Sequence, residues 1–128
     1  MSLQVSIMKR HEGSHLITLG GRLDSNTYFV LEEKIGPVAS SSPRLLIFDL
    51  ERLDYISSMG IKSLVSVRKA VWSQNGHVVL INLQPQIRKV FDIVSALPRE
   101  AVFFSIEEAD NYFDMVQRKE IEKLKGSK

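Results

Sequence analysis

The chain has 128 residues, enough for one ordinary domain that buries roughly two-thirds of its unfolded surface. Hydrophobic residues make up 44% and charged residues 25%, the proportions of a folded globular protein and not of a disordered one. Lysine plus arginine total 17 against 15 aspartate plus glutamate, and part of the basic excess sits in Lys119, Lys123, Lys125 and Lys128, so no concentrated basic face for nucleic acid is expected.

Leu3, Val5 and Ile7 alternate with polar residues, and residues 16–19 form a second apolar run. With His11-Glu12-Gly13-Ser14 as a turn between them, they predict a β-hairpin. Gly20-Gly21 is expected to stop the second strand. Asp24-Ser25-Asn26-Thr27 supplies several N-cap candidates for a helix in which Tyr28, Leu31 and Ile35 share a face. Gly36-Pro37 weakens the end of that helix, and Ser40-Ser41-Ser42-Pro43 is a loop. Residues 44–50 are almost continuously apolar, which predicts a strand covered on both faces, with residues 53–56 as its exit.

After Ser57-Ser58-Met59-Gly60, residues Ile61, Leu64, Val65, Arg68 and Trp72 recur at helical spacing up to a stop at Asn75-Gly76. Residues 77–83 predict another strand, Pro85 opens a short helix, and residues 101–104 predict a last strand. Ile106 begins a terminal helix running to about Lys125, with an inner face apolar only as far as Val116. The order is β-β-α-β-α-β-α-β-α, an α/β fold with a mixed, mostly parallel sheet. Residues 1–116 are expected to form one domain, and residues 117–128 a charged helical extension reaching into solvent.

Ser57-Ser58-Met59-Gly60 follows a buried strand and opens a helix. Backbone N–H groups and the positive end of the helix dipole converge at such a point and favour anions. Two hydroxyls there are either N-caps or phosphate acceptors, and position alone leaves both open. Gly60 inside a helix costs roughly 1 kcal/mol against alanine, which points to close approach of another backbone or of a partner.

The segment Phe48-Asp49-Leu50, followed by Asp54-Tyr55-Ile56-Ser57-Ser58-Met59-Gly60-Ile61 and Leu64, resembles the signature of the STAS family. Gly21-Arg22-Leu23-Asp24-Ser25-Asn26-Thr27 resembles the family's Gly-x-Leu-Asp segment before its first helix. The element order is also the family's, and the resemblance runs to about Val116. It implies a STAS-like fold and the role of a bacterial anti-sigma-factor antagonist. Such an antagonist binds an anti-sigma factor that is also a serine kinase, and so releases a sigma factor for transcription. The kinase phosphorylates one serine at the start of the second helix and switches the antagonist off, and a metal-dependent serine phosphatase reverses this.

Carried over by position, the acceptor is Ser58, with Ser57 as the alternative. The resemblance places Asp24, Ser25 and Thr27 beside Ser57, Ser58, Met59 and Gly60 in the partner-binding surface. Ser57 stands where a common version of the motif has aspartate, and Met59 where it has a second hydroxyl residue. A Ser-Ser-small-Gly version is closer. The resemblance leaves one alternative open, a STAS interaction or small-ligand sensing module in another signalling complex without sigma-factor control.

No enzyme is expected, because a Gly-x-Ser-x-Gly elbow is missing and the sequence pairs no base with a nucleophile. His11 and His15 lie in or near the hairpin turn and read as solvent-exposed; His77 is the third histidine. Asp24, Asp49 and Asp54 read as caps or turn residues and not as metal ligands, and no cofactor is expected. Phe48, Tyr55 and Trp72 read as core or half-buried packing. The lack of cysteine excludes disulfides and thiol catalysis and fits a reducing cytosol. No apolar run approaches the ~18 residues of a membrane span, and the first residues lack a signal-peptide layout. A cytoplasmic protein that binds neither membrane nor nucleic acid is expected, as a monomer or a weak dimer.

Overall fold

The computed structural model describes residues 2–96 and 106–126. They form β1 (Leu3–Lys9), β2 (Ser14–Leu23), α1 (Tyr28–Ala39), β3 (Leu45–Ile56), α2 (Ser58–Trp72), β4 (His77–Ile81), α3 (Pro85–Ala96) and α4 (Ile106–Gly126). The strands lie in one sheet in the order β1-β2-β3-β4. The pair β1–β2 is antiparallel, while β2–β3 and β3–β4 are parallel. The expected α/β fold with a mixed, mostly parallel sheet is therefore present. The strand expected at 101–104 lies outside the described residues.

Two expectations for the central strands are corrected. Gly20-Gly21 does not end β2, which continues to Leu23. Gly21 has φ +95°, and a Cβ there would lie 2.3 Å from the Ser2 carbonyl oxygen, so glycine is what lets the first residues pack across the strand. Along this stretch β3 bulges twice: Thr18 and Gly20 face Asp49 and Arg52, and Gly21 and Arg22 face Leu53 and Tyr55. Each bulge adds one residue to β3. The buried positions of β3 therefore change spacing, from Leu46, Phe48 and Leu50 to Leu53 and Ile56, and all five remain on one face.

That face carries the core. Ile17, Leu19 and Leu23 of β2 and the five β3 residues pack against Leu31 and Ile35 of α1, Ile61, Leu64, Val67 and Val71 of α2, and Ile87 and Val90 of α3. Among the described residues the other face is not covered as the apolar run at 44–50 predicts. Its residues Leu45 and Ile47 are only half-buried. The stripe that α2 buries also differs from expectation: Val67 and Val71 are inside, while Val65 is exposed and Trp72 is 70% exposed. Phe48 is core and Tyr55 half-buried, as expected. His11 is exposed, but His15 is half-buried on the core side of β2, with its Nδ1 buried and without a hydrogen bond.

β4 pairs only with residues Leu45 to Asp49 of β3, so the rest of that β3 edge needs other partners. Three glutamine amides supply them. Gln84 Nε2 donates to the Glu51 carbonyl (2.8 Å) and Gln86 Nε2 to the Asp54 carbonyl (3.1 Å). Gln117 of α4 donates to the Ile56 carbonyl (2.8 Å) and accepts from the Ile56 N–H (3.1 Å), as a strand neighbour would. Gln117, the residue after the last expected apolar position of α4, is buried, and the helix runs to Gly126.

Candidate functional site

The site follows from where two parallel strands end. Leu23 of β2 and Ile56 of β3 are register partners, and the Leu23 carbonyl accepts from the Ser57 N–H at 3.0 Å. Each strand leads through a short exit into a helix, so the N-termini of α1 and α2 start side by side at the carboxyl end of the sheet. In open α/β sheets this end is where partners and ligands are recognised.

The first exit is a tight polar loop. Asp24 Oδ1 accepts from the Asn26 N–H (2.9 Å), an Asx turn. The Thr27 hydroxyl donates to the Arg22 carbonyl (2.7 Å) and accepts from the Asp24 N–H (2.9 Å). That hydroxyl therefore closes the loop, and it caps no N–H of α1. Arg22 Nε lies 3.4 Å from Asp24 Oδ2, and the guanidinium sits 3.9 Å from the centroid of the Tyr55 ring. These contacts fasten the Asp24 loop to the end of β3.

The second exit resolves the two roles left open for the serine pair. Ser57 is the N-cap of α2: its backbone is extended, and its hydroxyl accepts from the Gly60 N–H at 3.3 Å. It is only 3% exposed. Ser58 is the first residue of the helix and is half-exposed, as is Met59. Gly60 is buried, and a Cβ there would lie 2.5 Å from the Leu23 carbonyl oxygen and 2.9 Å from the Leu23 and Ile56 side chains. Of the two reasons for this glycine, the close approach is by the protein's own β2 backbone.

The structure thus brings together all the residues singled out, but in two layers. Asp24, Ser25, Ser58 and Met59 reach the surface. Thr27, Ser57 and Gly60, expected to face a partner, lie beneath it and hold the two exits in place. Sequence reasoning missed Arg22 as the cation on Tyr55, although it lies inside the Gly-x-Leu-Asp segment. It also missed Gln117, whose partner Ile56 is 61 positions away. Asp24, Asp49 and Asp54 do not converge: among the described residues no group of three or more histidines or carboxylates can hold a metal ion. Among the same residues no helix is long and apolar enough to cross a membrane.

Comparison with known proteins agrees with this architecture. The family model of the STAS domain matches residues 6–109. BtrV of Bordetella bronchiseptica, named for anti-sigma factor antagonism, is 34% identical over 86 residues, which cover 67% of this chain and 74% of that protein. The anti-sigma-B factor antagonist of Bacillus subtilis is 31% identical over 93 residues, covering 73% of this chain and 84% of that one. Among solved structures, the unphosphorylated anti-sigma factor antagonist SpoIIAA superposes with a TM-score of 0.65 at 22% identity, over 72% of this chain and 81% of the other. That likeness shows the fold.

Proposed function

The chain belongs to the STAS domain family, and from that premise we propose that it is an anti-sigma-factor antagonist whose partner contact is broken by phosphorylation of Ser58. The observation that carries the reading is the division of labour between the two serines. Ser57 is buried and engaged as a cap, so its hydroxyl is out of reach of a kinase. Ser58 reaches the surface one residue later, at the positive end of α2. The relatives named for anti-sigma factor antagonism support the same role.

The switch needs no large rearrangement. A phosphate on Ser58 adds about −1.5 to −2 charges, which a helix N-terminus tolerates well. A partner packed on Asp24, Ser25, Ser58 and Met59 meets both the bulk and a charge that it must desolvate. Such a charge costs several kcal/mol, and each ~1.4 kcal/mol is tenfold in affinity. In this reading the partner is an anti-sigma factor with serine kinase activity, a serine phosphatase resets the switch, and the protein acts in the cytosol as a binding module and not as an enzyme.

The test is incubation with the candidate kinase encoded in the same genome and ATP, with the phosphosite mapped by mass spectrometry and partner affinity measured before and after. Ser58→Ala abolishes labelling, Ser57→Ala retains it, and phosphorylation weakens binding at least about tenfold. A phosphorylated form that binds as tightly as the unmodified one overturns the switch. Absence of both labelling and kinase binding moves the assignment to a STAS sensing module in another complex.

A further inference from the structure

Ser58 is the first residue of α2, and Lys62 follows four residues later in the same helix. Residues four apart on a helix lie one above the other, with Cβ atoms about 5–6 Å apart. Ser58 is half-exposed and Lys62 exposed. Gly60, Ser63, Leu64, Val67 and Val71 are buried and mark the inner side of the helix. Ser58 and Lys62 therefore share its outer side.

The charge on that side is of one sign. α2 carries Lys62, Arg68 and Lys69 and no carboxylate. Lys62 lies about one turn from Ser58, whereas Lys69 is ~16 Å from it along the helix axis. Neither ion pair among the described residues involves any of the three. Arg22, the cation of the neighbouring exit, is committed elsewhere, to Asp24 at 3.4 Å and to the Tyr55 ring at 3.9 Å. On the helices packed against α2, Glu32 of α1 accepts from the Ser63 hydroxyl (3.2 Å), and Asp114 of α4 pairs with Arg118.

We propose that Lys62 holds the phosphate on Ser58, so that phosphorylation withdraws a cation from the contact surface as well as adding an anion. The inference rests on Ser58 as the modified residue. The negative group precedes the lysine by four positions, which is the favoured order of an ion pair on a helix. The flexible four-carbon stem of lysine lets the ammonium meet the phosphate oxygens with no change of backbone. Before modification the surface beside Ser58 carries the positive charge of Lys62. Afterwards the phosphate brings about −1.5 to −2 charges, and the pair together carries about −0.5 to −1. The sign of the patch reverses. A partner matched to the first state is repelled by the second, in addition to meeting the bulk of the phosphate.

Phosphoserine set at position 58 during synthesis makes the test independent of any kinase. Its second ionisation is followed by phosphorus NMR. Lys62→Gln makes that ionisation about twofold weaker, a rise of about 0.3 pH unit, while Lys69→Gln leaves it unchanged. The difference fades near ~1 M salt, where the Debye length falls to about 3 Å. The other half of the pair is read by mass spectrometry: acylation of the Lys62 amine slows about twofold when residue 58 carries the phosphate, and that of Lys69 does not. Both substitutions are at exposed positions, and an unchanged circular dichroism spectrum shows that each variant is folded. An ionisation constant equal in the parent and in Lys62→Gln overturns the proposal. So does an equal shift in Lys69→Gln, or a Lys62 acylation rate indifferent to the phosphate. The two readings fail separately. A kinase that leaves Ser58 unlabelled counts against the switch, yet the pair is still measured in the chain made with phosphoserine. Absence of the pair leaves a switch by bulk and desolvation in place.

Discussion

At the two ends of the sheet the same packing device has opposite electrical sense. At the carboxyl end, Gly60 lets α2 sit against the β2 backbone, where a Cβ would come within 2.5 Å of the Leu23 carbonyl oxygen. At the amino end, Gly76 lets the chain enter β4 against the loop before β3, where a Cβ would come within 2.1 Å of the Pro43 carbonyl oxygen. Both glycines allow two backbones to touch. The amino end, however, gathers helix C-termini whose carbonyls are satisfied internally: Gln74 Nε2 donates to Ala39 (2.7 Å) and Ala70 (2.8 Å), tying α1 to α2. The carboxyl end gathers helix N-termini, where one side-chain cap, Ser57 on Gly60, serves α2 and none serves α1. Close packing alone does not mark a functional end. In the proposed reading, helix polarity and the half-exposed Ser58 distinguish the carboxyl end.

The sharpest way to break this comparison is to add a methyl group at each glycine. Gly60→Ala and Gly76→Ala are each expected to cost about 1–3 kcal/mol through overpacking against backbone, read as a lowered Tm. Only Gly60→Ala also weakens partner binding under conditions where both are folded, because the Leu23–Asp24 backbone must shift. Equal loss of binding in both variants would show that the two ends are not functionally distinct.

Next in size is the amide that finishes the β3 edge. Gln117→Leu leaves the Ile56 N–H and carbonyl buried without partners and costs about 1–3 kcal/mol, measured as the shift in urea midpoint. Ser57→Ala removes the N-cap and costs about 0.5–2 kcal/mol while phosphorylation at Ser58 persists. Ser58→Ala stays within about 0.5 kcal/mol of the parent in the same unfolding experiment, since the residue is half-exposed. If Ser58→Ala proved the more destabilising of the two, the assignment of cap and acceptor would have to be reversed. The smallest effect belongs to Arg22→Ala, about 0.5–1 kcal/mol from its half-exposed contacts with Tyr55 and Asp24.

Strand and helix identities were legible because their signals are local. Alternation in β1, the apolar run in β3 and the serine-glycine helix start each lie within a few residues. The α2 stripe was not legible: Ile61, Leu64, Val65, Val67, Val71 and Trp72 offer two adjacent apolar faces. The choice that exposes Val65 and Trp72 is made by the sheet beneath. The bulges in β3 were hidden for a related reason. A change of spacing from two to three, as between Leu50 and Leu53, has meaning only against the partner strand.

By itself the sequence determined the order of the elements among the described residues, the position of Ser58 after a buried strand, and the Asp24 segment before the first helix. These depend on short-range pattern and on motifs whose residues are neighbours in the chain. Only the tertiary structure decided which serine is the cap and which the surface hydroxyl, because both are equally good caps until the Leu23 carbonyl fixes where the helix begins. It also decided that Gln117 of α4 bonds to Ile56 at the end of β3 and that Met8, Val79 and Ile81 stay exposed on the sheet. Pairing and burial join residues far apart in sequence, and no local pattern encodes which of them meet.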